Sequence, residues 1–222
     1  MQHLGIDFDR ILVEMDRKLT LDYRDAVRAN DQPNNEKGND LPMESELVHI
    51  GSGVLSREQL RELIESDAPL FTGYLDLEEQ LQPNGFDLTL ESVQQHAGGG
   101  TIGTSNADRV LPPLVDLPFD NGGWLTLSPG IYHITYNETV ALPTNLMALG
   151  RPRSSLARSG VAIHTAVWDA GYHGRSTSLM SVLNPAGFRV AKNARVLQLV
   201  FFTLASASEQ GYSGIYQHEN RR

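Results

Sequence analysis

The chain has no cysteine, which excludes a disulfide scaffold, a thiol nucleophile and a cysteine-ligated zinc or iron–sulfur site. It also has no long apolar segment. Residues 196–205 form the longest run, which is interrupted by Gln198 and Thr203 and is too short to span a bilayer. The N-terminal sequence MQHLGIDFDR contains no basic stretch followed by an apolar run, so no secretory signal is predicted. We therefore expect a cytoplasmic protein with no membrane partner.

Positive charge is scarce over most of the chain and concentrated in its last third. The whole chain has 18 basic and 27 acidic side chains, a formal charge of −9. Residues 51–148 have 3 basic side chains against 13 acidic ones, whereas residues 149–222 have 9 against 3. The negative total repels a polyanion, so we expect no nucleic-acid partner. The cationic last third suits a small anion instead.

The 222 residues, of which 40% are hydrophobic, are enough for one domain with a sizeable core. Apolar residues recur at helical spacing over residues 6–28, and residues 29–42 are rich in Asn, Asp, Gly and Pro. We therefore predict an N-terminal extension over residues 1–42, made of a helix and a flexible linker. The core domain is predicted over residues 43–217, followed by a short tail, residues 218–222.

The core domain has the sequence pattern of a mainly β protein. Ser56 and Gln59 form a capping box that predicts a short helix near residues 56–66. Beyond it, short β-prone runs alternate with turns rich in Gly, Pro and Asn, which is typical of a barrel or a sandwich. The predicted strands are FDLTL (86–90), WLTL (124–127), IYHITY (131–136), TVAL (139–142), VAIHTAV (161–167), SLMSVL (178–183) and VLQLVFF (196–202).

Three polar residues in these segments allow both a structural and a functional interpretation. In QPNGFDL (82–88), Asp87 is expected to bond the amides of its own turn. In WDAGYHG (168–174), Asp169 has the position of an Asx-turn residue or of a catalytic carboxylate. In the strand NARVLQLVFF, Gln198 is expected to be a core amide satisfied by the backbone.

A further segment, PRSSLARSG (152–160), combines Arg and Ser residues at close spacing. Neighbouring hydroxyls, turn amides and guanidinium groups are the donors that phosphate oxygens require. The same segment also suits a short helical turn capped by Ser154, and both interpretations stay open here. Near the C-terminus, GYSGIYQ (211–217) suits a segment that becomes ordered only against another surface.

The motif-bearing segments occur in the order VLSREQL, PNGFDLTL, SPGIY, PRSSLARSG, TAVWDAGYHG, ARVLQLVF and GYSGIYQ. In this order they resemble the dCTP deaminase/dUTPase superfamily over residues 50–217, most closely its archaeal dUTPase branch. The resemblance implies a distorted jelly-roll β-barrel that assembles as a homotrimer with active sites at the subunit interfaces. It also implies hydrolysis of dUTP to dUMP and diphosphate, with Mg²⁺ carried by the nucleotide.

The resemblance also implies a role for each matching residue. Asp169 matches the carboxylate that holds and activates the attacking water, and Asp87 matches the one that contacts the metal through its water shell. Tyr172 matches the tyrosine that stacks on deoxyribose and leaves no space for a 2′-hydroxyl. The residues implied in phosphate binding are Arg153, Ser154, Ser155, Arg158 and Gln198. Those implied around the base and the sugar are Ala162, Ala166, Trp168 and Tyr172. Those implied in a closing lid are Gly211, Tyr212, Gly214, Tyr216 and Gln217.

One position separates hydrolysis from deamination. Deaminases of this superfamily have a glutamate three residues before the Asn that ends the strand after Gly-x-x-Gly, and here that position is Ser181. No Asp or Glu occurs in residues 170–207, and a serine hydroxyl cannot shuttle protons as a carboxylate does. We therefore expect dUTP hydrolysis. A dCTP deaminase, mono- or bifunctional, and a non-catalytic nucleotide-binding regulator are the alternatives.

Overall fold

The computed structural model describes residues 53–220. The extension predicted for residues 1–42 lies outside this part of the chain. Helix α1 (Arg57–Ile64) begins after Ser56, and both hydrogen bonds of the capping box between Ser56 and Gln59 are present. The predicted short helix is thus confirmed. No helix of the described residues is long and apolar enough to span a bilayer.

Strands dominate the described chain, which confirms the mainly β prediction. The strands are β1 (Phe71–Thr72), β2 (Leu81–Gln82), β3 (Gly85–His96), β4 (Leu114–Asp116), β5 (Trp124–Leu127), β6 (Gly130–Tyr136), β7 (Thr139–Ala141), β8 (Leu146–Pro152), β9 (Val161–His164), β10 (Val167–Trp168), β11 (His173–Gly174), β12 (Thr177–Val182), β13 (Phe188–Ala191) and β14 (Arg195–Thr203). The other helices are α2 (Leu77–Gln80) and α3 (Ser154–Arg158), with a 3₁₀ turn at Asn106–Asp108. All pairings between these strands are antiparallel.

The largest sheet has nine strands, in the order β10-β8-β14-β3-β6-β12-β9, with β2 and β4 paired to β3. Its edge strands β9 and β10 are separated in the chain only by Thr165 and Ala166. Such a link spans at most about 10 Å, so the two edges lie side by side and the sheet is curled into a barrel. The single strand predicted over residues 161–167 is wrong, because the chain leaves one edge at His164 and joins the other at Val167.

The core is filled by apolar side chains from alternate strand positions. Phe71, Phe86 and Phe201 are almost fully buried. The ring centroids of Phe71 and Phe86 are 4.2 Å apart, and those of Phe71 and Phe201 are 5.7 Å apart. Burying each such side chain contributes about 1.5–3 kcal/mol. This packing joins strands β1, β3 and β14, and β3 and β14 carry the predicted site residues Asp87 and Gln198.

Candidate functional site

The predicted site residues form two main groups at opposite ends of strand β8. The first group, here called the phosphate cluster, lies at and beyond the C-terminal end of β8 and comprises Asp87, Arg153, Ser154, Ser155, Arg158 and Gln198. The second group, here called the Asp169 cleft, lies at the N-terminal end of β8. Its lining residues are Met147, Asp169, Ala170, Leu204, Ser208, Gly211, Tyr212, Ser213 and Gly214.

Strand registers give the separation between the two groups. Trp168 pairs with Ala148 of β8, which places Asp169 beside Met147 in the lining of the cleft. Arg153 directly follows β8. At a rise of about 3.3 Å per residue, the strand places Arg153 about 20 Å from Met147. Within one chain, Asp169 is therefore too far away to act on a phosphate group that Arg153 holds.

Asp87 is the buried acid of the phosphate cluster. It is 1% exposed, and its Oδ2 atom lies 3.0 Å from Arg153 Nη1 and 3.7 Å from Arg195 Nη1. Within the described chain Oδ2 has no aligned hydrogen-bond donor, so the contact with Arg153 is an ion pair. Burial raises the pKa of Asp87 to about 6, although both guanidinium groups lower it. The expectation that Asp87 bonds its own turn is wrong, because it lies within β3 and faces these arginines.

Helix α3 presents the Arg and Ser residues of the phosphate cluster. Its N-cap is Arg153 rather than Ser154, so the predicted helical turn is confirmed with its cap one residue earlier. The Arg153 side chain makes no capping bond, which leaves its guanidinium group for Asp87. The side chains of Ser154, Ser155 and Arg158 are exposed and therefore accessible to a ligand.

Gln198 belongs to the phosphate cluster rather than to the core. It is half-buried, and its Cα partners are Asp87 on β3 and Arg151 on β8. A Cβ atom at Gly85 would clash with the Leu199 carbonyl oxygen and would lie 2.9 Å from Gln198 Nε2. The close approach of the β14 backbone therefore requires glycine there, and it places the Gln198 amide beside Gly85. The expectation of a core glutamine is therefore wrong, because both neighbouring positions across the sheet carry charged side chains.

Arg195 also belongs to the phosphate cluster, although the sequence analysis did not predict it. Besides Asp87, its guanidinium group pairs with the Glu79 carboxylate at 3.1 Å and donates to the Glu79 carbonyl oxygen. The sequence signal is an arginine at the start of the strand that carries Gln198. That signal becomes informative only once β14 is known to pair with β3.

Asp169 has an exposed side chain in a cleft of about 470 Å³. The turn that carries it is closed by the Tyr172 N–H, which donates to the Asp169 carbonyl oxygen at 3.0 Å. Gly171 within this turn has φ +83°, a left-handed conformation that favours glycine. Because backbone atoms close the turn, the carboxylate is not required as an Asx-turn acceptor and can face the cleft.

The C-terminal segment, residues 211–220, packs along residues 170–175. The Gln217 side chain accepts from the His173 N–H and donates to the Gly171 carbonyl oxygen, both at 2.9 Å. Further hydrogen bonds run from Tyr212 N to Ala170 O, from His218 N to His173 O, from Arg175 N to Glu219 O and from Asn220 Nδ2 to Arg175 O. The predicted lid thus lies on the Asp169 half of its own chain, and residues beyond 217 take part in this docking.

Tyr172 is a buried aromatic residue of the same turn. Its side-chain hydroxyl donates to Glu219 Oε1 at 2.9 Å, and its ring meets the Tyr212 ring edge-on at 5.8 Å. Burial raises the pKa of Tyr172, and the Glu219 carboxylate raises it further, so the hydroxyl stays protonated near neutral pH. Tyr216, another predicted lid residue, is outside the lining of the cleft. The centroid of its ring lies 5.9 Å from the Arg109 guanidinium carbon.

The residues expected around the base and the sugar, Tyr172 included, are not part of the lining of the Asp169 cleft. Ala162 is half-buried on β9, opposite Ser181 of β12, and Ala166 is exposed in the link between β9 and β10. Trp168 is 4% exposed, and its Nε1–H donates to Ser176 Oγ at 3.0 Å. The Trp168 indole therefore belongs to the core, which leaves only its backbone for a ligand.

A metal ion would find few protein ligands here. Among residues 53–220, no group of three or more His, Asp or Glu residues is placed to hold one. Asp87 supplies a single carboxylate, flanked by guanidinium groups, and its Oδ2 atom lacks an aligned donor. This donor set fits contact with a hard cation that arrives with oxygen ligands of its own and retains water, as Mg²⁺ does.

Comparison with known proteins agrees with this architecture. The family model "dCTP deaminase-like" matches residues 54–204. A probable deoxyuridine 5′-triphosphate nucleotidohydrolase from Methanosarcina mazei is 48% identical over 167 residues, covering 75% of this chain and 98% of the relative. A protein of the same name from Archaeoglobus fulgidus is 46% identical over 167 residues, covering 75% of this chain and 97% of the relative.

Among solved structures, the 2′-deoxycytidine 5′-triphosphate deaminase from Agrobacterium tumefaciens superposes with a TM-score of 0.53 at 25% sequence identity. The match covers 68% of this chain and 48% of that chain, so it spans about half of the deaminase. The sequence relatives and this structural neighbour therefore carry the names of two different activities.

Proposed function

Because this chain belongs to the dCTP deaminase-like family, we propose that it hydrolyses dUTP to dUMP and diphosphate. This reaction limits uracil incorporation into DNA and supplies dUMP for deoxynucleotide synthesis. The names of the archaeal relatives support the substrate, since those proteins match this chain over nearly their whole length. The expected location remains the cytoplasm.

Asp169 is the general base of the proposed reaction. Hydrolysis of a phosphoanhydride requires a positioned water, charge stabilisation and no covalent intermediate. The exposed Asp169 carboxylate lies in a cleft that admits water and ligand, and it accepts the proton of the attacking water. The Tyr172 ring, in the same turn, packs against the deoxyribose.

The phosphate cluster binds the triphosphate. Arg158 and the hydroxyls of Ser154 and Ser155 are exposed and donate to phosphate oxygens, together with Arg153 and Gln198. Charge-assisted bonds of this kind are worth about 1.5–3 kcal/mol each. A Mg²⁺ ion carried by the nucleotide would neutralise part of the triphosphate charge. Asp87, the acid of this cluster, would accept from the water shell of that ion.

The active sites form between subunits of a homotrimer. The separation of about 20 Å along β8 supports this arrangement, because one chain cannot bring Asp169 and Arg153 to the same phosphate group. In a ring of identical subunits, the Asp169 cleft of one subunit faces the phosphate cluster of the next, and each interface makes one complete site.

The observation that favours hydrolysis over deamination is the environment of Ser181. Its Cα partners are Ala162 on β9 and Ile131 on β6, and Ala162 belongs to the strand assigned to the base. At the position where deamination needs a carboxylate, this chain therefore has the buried hydroxyl of Ser181. The exposed Asp169 cleft argues against a purely regulatory protein, which needs no general base.

A product assay tests the proposal. The protein is incubated with Mg²⁺ and dUTP, dCTP or dTTP, diphosphate release is followed, and the nucleotides are separated by chromatography. We expect dUMP and diphosphate from dUTP, and no conversion of dCTP at a comparable rate. Stoichiometric dUTP or dUMP from dCTP would establish the deaminase instead, and binding of dUTP without turnover would establish the regulator.

A further inference from the structure

Glu219, in the C-terminal segment, is held by hydrogen bonds beside the Asp169 turn. Its carbonyl oxygen accepts from the Arg175 N–H at 3.0 Å, and its own N–H donates to the Tyr216 carbonyl oxygen at 3.2 Å. These backbone bonds fix the carboxylate, whose Oε1 atom accepts from the Tyr172 hydroxyl at 2.9 Å. Glu219 thus contacts Tyr172, although the two residues are 47 positions apart in the chain.

The hydroxyl end of Tyr172 is enclosed on more than one side. A Cβ atom at Gly174 would lie 2.7 Å from the Tyr172 hydroxyl and 3.2 Å from the Glu219 nitrogen. Glycine at position 174 therefore leaves the space in which the hydroxyl and the C-terminal segment meet. The Tyr212 ring restricts the other part of the Tyr172 ring by its edge-on contact at 5.8 Å.

The Glu219 carboxylate is not needed to dock the C-terminal segment. The Gln217 side chain and the backbone of His218 already bond that segment to residues 171–173. Burial of the Glu219 carboxyl group raises its pKa, which means that placing a charge here costs free energy. This partly buried carboxylate adds little to docking. The interaction that its position allows is the hydrogen bond with the Tyr172 hydroxyl.

We propose that Glu219 is a positioning residue that sets the preference for deoxyribonucleotides over ribonucleotides by holding the Tyr172 ring in one orientation. This inference rests on the proposed function, in which that ring packs against the deoxyribose. A ring anchored at its hydroxyl cannot swing aside, so it leaves no room for a 2′-hydroxyl. A ring released at that end can turn about its side-chain bonds and admit a ribonucleotide.

Steady-state kinetics with dUTP and UTP test this role through kcat and KM measured separately. In Glu219→Ala we expect the ratio of kcat/KM for dUTP to that for UTP to fall about tenfold, the usual weight of one hydrogen bond to a charged group. The kcat for dUTP should change little, because Asp169 is untouched. Glu219→Gln still offers an oxygen acceptor and should restore most of the preference.

Tyr172→Phe removes the other half of the bond and should match Glu219→Ala, while the double variant should be no worse than either single variant. Glu209→Ala, an exposed glutamate of the same region, is the matched control and should behave as wild type. An unchanged ratio in Glu219→Ala, or an equal loss of kcat for both nucleotides, would overturn the role of Glu219 alone. Failure of the wild type to hydrolyse dUTP would contradict the proposed function itself.

Discussion

Asp169 and Asp87 are two carboxylates whose surroundings suit them to different tasks. Asp169 is exposed in an open cleft, where water and a ligand can reach it. Asp87 is buried between Arg153 and Arg195, where it holds the two guanidinium groups in place. Different exposure and different charge partners thus suit Asp169 to the proposed role of base and Asp87 to holding cationic groups.

Asp169→Asn should retain nucleotide binding and lose about 10²–10⁴ in turnover, the usual contribution of a general base. The amide preserves the shape of the side chain but cannot accept a proton from water. Binding of a non-hydrolysable dUTP analogue by calorimetry and turnover by diphosphate release measure the two properties separately. Near-wild-type turnover would remove Asp169 from the catalytic role, and loss of binding with turnover would indicate a ligand-binding defect instead.

Asp87 should make stability depend on pH in a direction opposite to most acids. Burial raises its pKa from 3.8 to about 6, so the folded protein holds a proton that the unfolded chain has already lost. Its contribution to the free energy of unfolding therefore falls as the pH rises from about 4 to about 6, by about 3 kcal/mol in all.

Asp87→Asn removes this dependence. The free energy of unfolding of the variant relative to wild type should increase between pH 4 and pH 7, as measured by chemical denaturation at several pH values. Asp67→Asn, at an exposed position, is the control and should follow the wild type across the range. A relative stability of Asp87→Asn that falls with rising pH would mean that the two arginines outweigh burial.

At the scale of elements, strand β8 borders both groups of predicted site residues, and it is one of the strands that the sequence pattern did not predict. Its sequence, LMALGRP, has no β-branched residue and contains Gly and Pro, so local propensity does not favour a strand. The segment nevertheless forms a strand, because it pairs with β10 on one side and with β14 on the other. By contrast, WLTL (124–127) and the capping box of α1 were predictable because their signals are local.

The same distinction applies to the site. The order of motifs and the donors of α3 are visible in the sequence, since each lies within one segment. The Asp87–Arg195 contact and the docking of residues 211–220 depend on pairings between distant segments, which no local pattern contains. The split of residues 161–167 between two sheet edges has the same cause.

The C-terminal segment gives a prediction at this scale. Truncation after Ser208 removes the C-terminal segment that bonds to residues 170–175. The barrel should still fold, with at least about a hundredfold less activity, because a lid excludes water and completes a site. Circular dichroism and gel filtration check the fold. Truncation after Asn220 is the matched control and should retain activity, and full activity without residues 209–222 would exclude a lid.

At the scale of the whole molecule, the curled sheet supports the proposal that a complete site needs more than one chain. The barrel holds β8 rigid, so the phosphate cluster and the Asp169 cleft stay about 20 Å apart whatever the ligand. The cationic side chains Arg153, Arg158 and Arg195 of the last third all belong to the phosphate cluster, whereas no basic residue of the described chain lines the Asp169 cleft. In the proposed ring of three subunits, the unlike halves meet at each of the three interfaces, which gives three sites.

Subunit mixing is the most direct test of this shared site. Asp169→Asn chains keep the phosphate cluster, and Arg158→Ala chains keep the base, so each variant alone should be almost inactive. Random mixed trimers contain one intact site each, and co-assembly at equal amounts should restore about a quarter of the wild-type dUTP hydrolysis. The same variants mixed after assembly, without exchange, should stay inactive. Co-assembled trimers no more active than the separate variants would contradict the account, because the two halves would then belong to one chain.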